Sequence, residues 1–378
     1  MSLGSTARLD RVEPVYVDGA VAAGEFAGGH VGAGQELGWG MAGPPSPGSA
    51  YCDTMELIVT AGVPESPARV LEPERPPFRI GVVQHRWDED AARLLATLHE
   101  GVGTAAAAGA RIVFLPELTL SRYPADLEPS GRAADLAENL ESGATVRFAR
   151  EAARAHRVHV HASLYECADP GGDDPDDGLG YNTAVLVAPD GRLVHRTRKM
   201  HIPASVGYYE DRYFRPGPRQ DAYRVVRLTE PAVSLGMPTC WDQWFPEVAR
   251  CYALAGADLL VYPTAIGSER NHPGFDSQPQ WQSVINGHAI VNGLFAVVPN
   301  RCGEEGNNFF YGSSFVVDPY GRVLVQAPRD EPAVLVADID LDQRRDWLDL
   351  FPFFGGRRPE SYDALTAPVR PEHSRQHG

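Results

Sequence analysis

The stretch "FRIGVVQHRWDEDAARLLATLHEGVGTAAAAGARIVFLPE", residues 78–117, decides the fold class. It starts with a short apolar run typical of a buried strand and continues with an Ala-rich pattern typical of a helix that ends near Gly109. A second apolar run follows. Strand, helix and strand at this spacing predict a parallel pair joined by a right-handed crossover. We therefore expect an α/β protein.

The rest of the chain repeats this alternation and adds hairpins. "LAENLESGATVRFAREAARAHR" predicts a second helix, and "YNTAVLVAPDGRLVHRTRK" predicts two antiparallel strands around a Pro-Asp-Gly turn. Further strands are predicted at "VHVHASLYE", "AVSLGMP", "ADLLVYPT", "LFAVVPNR" and "SSFVVDPYGRVLVQA", with helices at "PEVARCYALAGA" and "QWQSVINGHAIVNG". Such a mixture predicts layered sheets with helices on the outside.

The two ends of the chain differ in composition from the middle. Residues 1–77 are rich in Gly, Pro and Ala, so we expect an extension outside the main core, in which only "YCDTMELIVT" resembles a short strand. The predicted main domain spans residues 78–365, and residues 366–378 are predicted to form a tail.

Composition excludes several classes of function. The formal net charge of −16 makes nucleic acid an unexpected partner, because phosphate binding relies on a basic surface. The sequence contains no apolar run long enough to span a membrane. The acidic residues near the N-terminus do not fit a signal peptide, so we expect a cytoplasmic protein. The five cysteines are scattered along the chain and form no C-x-x-C pair. His159 and His161 could supply only two of the three or more protein ligands that a metal site needs, so we expect no metal.

Three residues that could take part in catalysis stand where predicted strands end. Glu117 follows "RIVFL" and could act as a general base, Lys199 closes "GRLVHRTRK", and Cys240 lies at a strand-to-helix turn that suits a nucleophile. In α/β proteins, ligands bind beyond the carboxyl ends of the strands. His201 and His288 are the alternative candidates for a base that activates Cys240.

Several motifs together resemble the nitrilase, or carbon–nitrogen hydrolase, superfamily. They are "FLPELTLSRYP", "RKMHIP", "GYYEDRYFRPG" and "CWDQWFPEVARCYALAGADLLVYPTAIGS", and the last is most similar to the N-carbamoylputrescine amidase branch. The resemblance implies a four-layer αββα sandwich, paired into an αββα–αββα homodimer or a higher homo-oligomer. It also implies a hydrolase of small N-carbamoyl amines or amides, in polyamine metabolism, that needs no cofactor.

The resemblance also implies roles for individual residues. Glu117, Lys199 and Cys240 correspond to the catalytic base, lysine and nucleophile, and Glu210 corresponds to the second glutamate of the amidase branches. Lys199 and the backbone N–H of Trp241 are expected to form the oxyanion hole. The residues expected to bind the small-molecule substrate are Tyr123, Trp241, Thr264 and Ala265.

The substrate stays open at this stage. Pro238, Thr239 and Asp211 differ from the pattern of the carbamoylputrescine branch. A ureidopropionase-like or N-carbamoyl amino acid hydrolase would need a basic group for the substrate carboxylate, which Arg212 or Arg301 could provide. Two further alternatives remain: another aliphatic amidase, and a non-catalytic small-molecule-binding protein with the same fold.

Overall fold

Two β-sheets that pack face to face form the centre of the molecule. The computed structural model describes residues 55–168, 177–204, 207–269 and 271–368. Residues 1–54 of the predicted extension and residues 369–378 of the predicted tail lie outside the described residues.

Strands and helices alternate along most of the described chain. In chain order, the strands are β1 (Glu56–Val59), β2 (Phe78–Gln84), β3 (Ala110–Phe114), β4 (His159–Glu166), β5 (Tyr181–Val187), β6 (Leu193–Arg198), β7 (Val226–Thr229), β8 (Ala232–Gly236), β9 (Leu259–Val261), β10 (Phe295–Val298), β11 (Cys302–Glu305), β12 (Asn308–Tyr311), β13 (Phe315–Val317), β14 (Val323–Gln326) and β15 (Ala333–Ile339). The α-helices are α1 (Ala91–Ala107), α2 (Ala144–His156), α3 (Pro246–Leu254), α4 (Gln278–Asn292) and α5 (Asp342–Leu350). Short 3₁₀ helices span Pro124–Asp126, Ala133–Leu136, Glu210–Arg212, Arg219–Asp221, Cys240–Trp244, Pro359–Ser361 and Asp363–Leu365.

The two large sheets have related topologies. The first has the order β1-β15-β2-β3-β4-β5-β6, and the second has the order β14-β13-β10-β9-β8-β7. β2, β3 and β4 run parallel in the first sheet, as β8, β9 and β10 do in the second, and antiparallel strands flank both sets. The predicted parallel pairing of β2 and β3, with α1 between them in the chain, is confirmed.

Alternation along the strands creates three apolar layers. In β2, Ile80 and Val82 point into the layer between the sheets, where they join side chains such as Leu235 and Val297 of the second sheet. Val83 points to the opposite face, which α1 and α2 cover. α3 and α4 cover the outer face of the second sheet, around the buried Trp281. This is the expected four-layer αββα sandwich.

Part of the predicted extension is attached to this sandwich. The short strand expected within "YCDTMELIVT" is present as β1, which pairs in parallel with β15. Further along, Arg69 contacts Asp340 and Asp346, and Arg75 contacts Asp342, at and beside α5. The C-terminal third of the predicted extension, residues 55–77, is therefore joined to the sheet and to α5, while the domain boundary at residue 78 stays a prediction.

Candidate active site

Three buried ionisable side chains meet beyond the ends of β3 and β6, and the third of them comes from the 3₁₀ helix Glu210–Arg212. Lys199, directly after β6, places its Nζ 3.0 Å from Oε1 of Glu117, which follows β3, and 2.7 Å from Oε2 of Glu210. All three side chains are almost fully buried. Tyr123 donates its hydroxyl to Oε1 of Glu210 at 2.9 Å. One cation is thus shared between two carboxylates in a site from which water is largely excluded.

Burial and charge together set the protonation of this cluster. Burial by itself lowers the pKa of Lys199, but the carboxylates of Glu117 and Glu210 outweigh it and raise that pKa above its usual value. Burial raises the pKa of Glu210 to about 7, against the opposing effect of the Lys199 charge. The lysine is therefore a permanent cation, whereas Glu210 titrates near neutral pH.

Cys240 lies at a strained turn beside this cluster. β8 ends at Gly236, and Cys240 opens the 3₁₀ helix that leads into α3, with φ of +38°, a left-handed conformation unusual for a residue with a side chain. Burial, followed by the charge of Glu117, raises the pKa of the thiol well above its ordinary value, while Lys199 acts in the opposite direction. Cys240 is therefore a protonated thiol at rest, and nucleophilic attack requires a base.

A small cavity of about 110 Å³ gives access to Cys240. Its walls are mainly aromatic and apolar, with carboxylates from two places in the chain. They are formed by Tyr123, Pro203, Tyr208, Glu210, Cys240, Trp241, Gln243, Trp244, Ala265, Ile266 and Glu269. None of these described residues carries a positive charge.

Most of the predicted site residues meet around this cavity. Tyr123, Trp241 and Ala265 line it, whereas Thr264 does not; the Thr264 side chain is buried, and its hydroxyl donates to the carbonyl of Tyr262. Neither alternative base lines it either. His288 contacts the backbone carbonyl of Gln243, and His201 contacts Asp242. Of the candidates for a base, only Glu117 belongs to the buried charge cluster.

Comparison with known proteins agrees with this geometry. The family model described as carbon-nitrogen hydrolase matches residues 79–349. The chain belongs to the carbon-nitrogen hydrolase family. It is therefore an amidase-type enzyme that acts on carbon–nitrogen bonds other than peptide bonds.

Named relatives of this carbon-nitrogen hydrolase have different substrates in their names. A citrullinase of Francisella tularensis is 35% identical over 76% of this chain and 98% of its own length. An N-carbamoylputrescine amidase of Solanum lycopersicum is 34% identical over 76% of this chain and 94% of its own length. The crystal structure of a carbon-nitrogen hydrolase from Helicobacter pylori G27 has a TM-score of 0.69 and 32% identity, and covers 78% of this chain and 100% of its own.

Two expectations about charged residues of the hydrolase are corrected by the structure. Arg301, considered as a binder of a substrate carboxylate, is fully buried and paired with Glu305. Its guanidinium also donates to the backbone carbonyls of Glu117, Leu118 and Ser121. Its partner Glu305 is also buried and accepts the backbone N–H of Tyr123. Arg212 is exposed beside Asp211 and does not line the cavity.

Sequence reasoning missed several residues that surround the site. Asn182 donates to Glu117, Asp242 joins two loops, and Glu269 adds a half-buried carboxylate to the cavity wall. Asn182 had a weak signal, since it is a polar residue near the start of the largely apolar strand β5. Lys199 had a stronger signal than its strand-end position, because it is the only lysine among the 34 basic residues.

The described part of the enzyme holds no group of three or more His, Cys, Asp or Glu side chains that could bind a metal ion. None of its described helices is both long enough and apolar enough to cross a membrane.

Proposed function

We propose that this enzyme hydrolyses small N-carbamoyl amines that carry a second, cationic amino group, as N-carbamoylputrescine does, with Cys240 as the nucleophile. The observation that carries the proposal is the charge of the cavity. Glu269 lines it as a half-buried carboxylate, and no cationic side chain of the described residues lines it. Such a cavity favours an ammonium group and disfavours a carboxylate.

The first step is attack of Cys240 on the carbamoyl carbon. Oε1 of Glu117 already accepts hydrogen bonds from Lys199 and Asn182, while Oε2 is buried without a hydrogen-bond partner among the described residues. Oε2 is therefore the atom that takes the thiol proton as sulfur bonds to carbon. The oxygen of the carbamoyl group gains the negative charge, which Lys199 and the backbone N–H of Trp241 stabilise.

The second half of the reaction returns the proton. The protonated Glu117 gives it to the departing nitrogen, so that ammonia or the amine leaves and a thioester-type intermediate remains on Cys240. A water molecule then loses a proton to Glu117 and attacks the same carbon. The carbon–sulfur bond breaks, and sulfur recovers its proton. Every proton transfer in this scheme uses one carboxylate, which fits the isolated Oε2.

Glu269 supplies the proposed recognition of the amine. Burial raises the pKa of this carboxyl group, and the charge of His272 lowers it. An ammonium group of the substrate would stabilise the ionised form by a charge-assisted hydrogen bond. A neutral substrate of equal length would leave the carboxylate without this partner, and a substrate carboxylate would be repelled by it.

Citrulline is the competing substrate, because one relative is named a citrullinase. Its ammonium group suits Glu269, but its carboxylate meets no cationic side chain of the described cavity wall. N-carbamoyl-β-alanine, which has a carboxylate and no ammonium, fits less well for the same reason. Both compounds therefore belong in the test.

The test measures ammonia release from N-carbamoylputrescine, N-butylurea, citrulline, N-carbamoyl-β-alanine, a simple amide and a nitrile. We expect N-carbamoylputrescine to give the highest kcat/KM and Cys240→Ala to abolish turnover. N-butylurea has the same four-carbon chain but lacks the terminal ammonium group. Glu269→Gln should raise KM for N-carbamoylputrescine about tenfold and leave KM for N-butylurea unchanged.

Three outcomes would contradict the proposal. A higher kcat/KM for citrulline or N-carbamoyl-β-alanine would reject the substrate class and keep the reaction. Equal effects of Glu269→Gln on both matched ureas would reject the role of Glu269. Substrate binding without turnover by well-folded wild-type protein would support a non-catalytic binder instead.

We also propose a homodimer or a higher homo-oligomer. The outer layer formed by α3 and α4 exposes Leu254 and Val291 beside a groove of about 340 Å³. Exposed apolar side chains around a groove are typical of protein contact surfaces. Sedimentation equilibrium should give at least twice the chain mass, and Leu254→Asp should lower it. A monomeric wild type would overturn this part of the proposal.

A further inference from the structure

The two loops that carry Lys199 and Cys240 meet at the carboxylate of Asp242. Oδ1 of Asp242 accepts the backbone N–H of His201 at 3.0 Å, and His201 Nδ1 lies 2.7 Å from the same oxygen. Oδ2 accepts the backbone N–H of Thr239 at 3.0 Å, and Met200 N lies 3.5 Å away. Met200 and His201 directly follow the lysine, and Thr239 directly precedes the cysteine, so one carboxylate connects both loops.

The turn at Cys240 needs an external restraint. A left-handed conformation at a residue with a side chain is strained and persists only where the surroundings hold it. The backbone N–H of Cys240 donates to the carbonyl of Pro263 at 3.0 Å, which fixes one side of the turn. The hydrogen bond from Thr239 N–H to Asp242 fixes the other side, because Thr239 directly precedes the strained residue Cys240.

The ionised carboxylate suits this task better than an amide would. Asp242 is almost fully buried, and no arginine or lysine of the described residues pairs with it. Its charge is therefore balanced by N–H groups of the two loops. An ionised carboxylate only accepts hydrogen bonds, whereas an asparagine in its place would turn an N–H₂ group towards one of these donors.

We propose that Asp242 is a positioning residue that holds the Cys240 sulfur in register with the Lys199 ammonium. It touches neither substrate nor reacting atoms and acts through the backbone on either side of them. This inference rests on the proposed function for the roles of Cys240 and Lys199. Its structural part, that Asp242 sets the reactive conformation of the thiol, can be measured without any substrate.

The experiment compares Asp242→Asn with Asp318→Asn. Asp318 is the control, because it is a fully buried aspartate that also organises a turn, accepting the backbone N–H groups of Tyr320 and Arg322 between β13 and β14. Unlike Asp242, it also pairs with the guanidinium of Arg322 at 2.6 Å. Both variants are assayed for ammonia release and for the rate at which iodoacetamide alkylates Cys240, followed by peptide mass spectrometry. Thermal unfolding shows whether each variant is folded.

The expected result separates positioning from general stability. Displacement of reacting groups by about 1 Å can lower rates about 100-fold, so kcat of Asp242→Asn should fall about 100-fold and alkylation of Cys240 at least about tenfold. KM should change much less, since Asp242 does not line the cavity. Asp318→Asn should retain the wild-type values for all three quantities, even where its melting temperature falls.

Wild-type kcat and alkylation rates in Asp242→Asn would overturn the inference, as would equal losses in Asp318→Asn. Asp242→Ser keeps one oxygen acceptor and is the second variant if Asp242→Asn does not fold; it should show the same split between kcat and KM. If the wild type hydrolyses no substrate, the proposed function fails, but the alkylation rates still decide whether Asp242 positions the thiol.

Discussion

Asn182 donates its side-chain N–H to Oε1 of Glu117 at 2.7 Å, although 65 residues separate them. Lys199 contacts the same oxygen, so the carboxylate is held from two sides. The other oxygen, Oε2, is buried and has no hydrogen-bond partner among the described residues. Asn182 and Lys199 therefore make the two carboxylate oxygens of Glu117 unequal: Oε1 is held in place, and Oε2 is available for proton transfer.

Asn182→Leu should lower kcat because the carboxylate of Glu117 then rotates more freely. A misplaced general base still functions in part, so we expect a loss of about 10–100-fold rather than the full contribution of a base. The matched control is Asn292→Leu, at a buried asparagine of α4 that donates to the carbonyl of His288. Steady-state kinetics of both variants provide the measurement, and similar kcat values would contradict the prediction.

Glu210→Gln should become relatively more stable as pH rises. Because burial raises the pKa of Glu210 from 4.5 to about 7, the folded protein binds this proton more tightly than the unfolded chain. The resulting stabilisation of the wild type is fully present below pH 4.5 and is lost as pH rises through 7. A glutamine at position 210 stays neutral, so the variant loses no stability from this position as pH rises.

Urea denaturation of wild type and Glu210→Gln at pH 5 and pH 8 tests this sign. The free energy of unfolding of the variant minus that of the wild type should be more positive at pH 8. The same difference at both pH values would show that Glu210 does not titrate in this range.

Lys199 should remain protonated well above the ordinary pKa of a lysine. Because it is the only lysine in the chain, protein labelled with ¹³C-lysine gives a single side-chain resonance from this sequence. Glu117 and Glu210 raise its pKa, so the Cε shift should not change up to about pH 10.5, the usual midpoint. A titration at or below that pH would contradict the prediction.

Lys199→Arg should be inactive even though the charge is retained. A planar guanidinium cannot replace a compact ammonium in a fully enclosed site between two carboxylates. Lys199→Met should be inactive and also less stable by about 3–5 kcal/mol, because two buried carboxylates lose their cation. Ammonia release and urea denaturation measure both effects. Substantial activity in Lys199→Arg would show that charge alone suffices.

Arg301 and Glu305 should behave as a buried pair that supports the loop of the catalytic base. Arg301→Met should destabilise the fold by about 3–5 kcal/mol, because Glu305 then keeps an unpaired charge. The double variant Arg301→Met/Glu305→Met should recover part of this loss. The exposed pair Arg329 and Asp276 is the control, since truncating either partner should cost at most about 1 kcal/mol. A double-mutant cycle by urea denaturation compares the two pairs, and equal coupling energies would contradict the expectation.

The order of the strands was only partly predictable. Local apolar patterns identified β2, β3 and their crossover, because β2 pairs in parallel with the next strand along the chain and α1 covers both. β15 was not identified, although it lies between β1 and β2. Its partners come from the other end of the chain, and a short apolar segment carries no information about which distant strand it will pair with.

Sequence reasoning identified the fold class, the reaction family and the three residues that stand at the ends of β3, β6 and β8. These depend on periodicity and on motifs, which are local properties of the chain. Three features became visible only in the folded molecule: Asn182 holds Glu117, Asp242 connects two loops, and Glu269 adds a negative charge to the cavity wall. Contacts of this kind join residues that are distant along the chain. They arise only when the sheets pair, and that pairing is set by burial across the whole molecule.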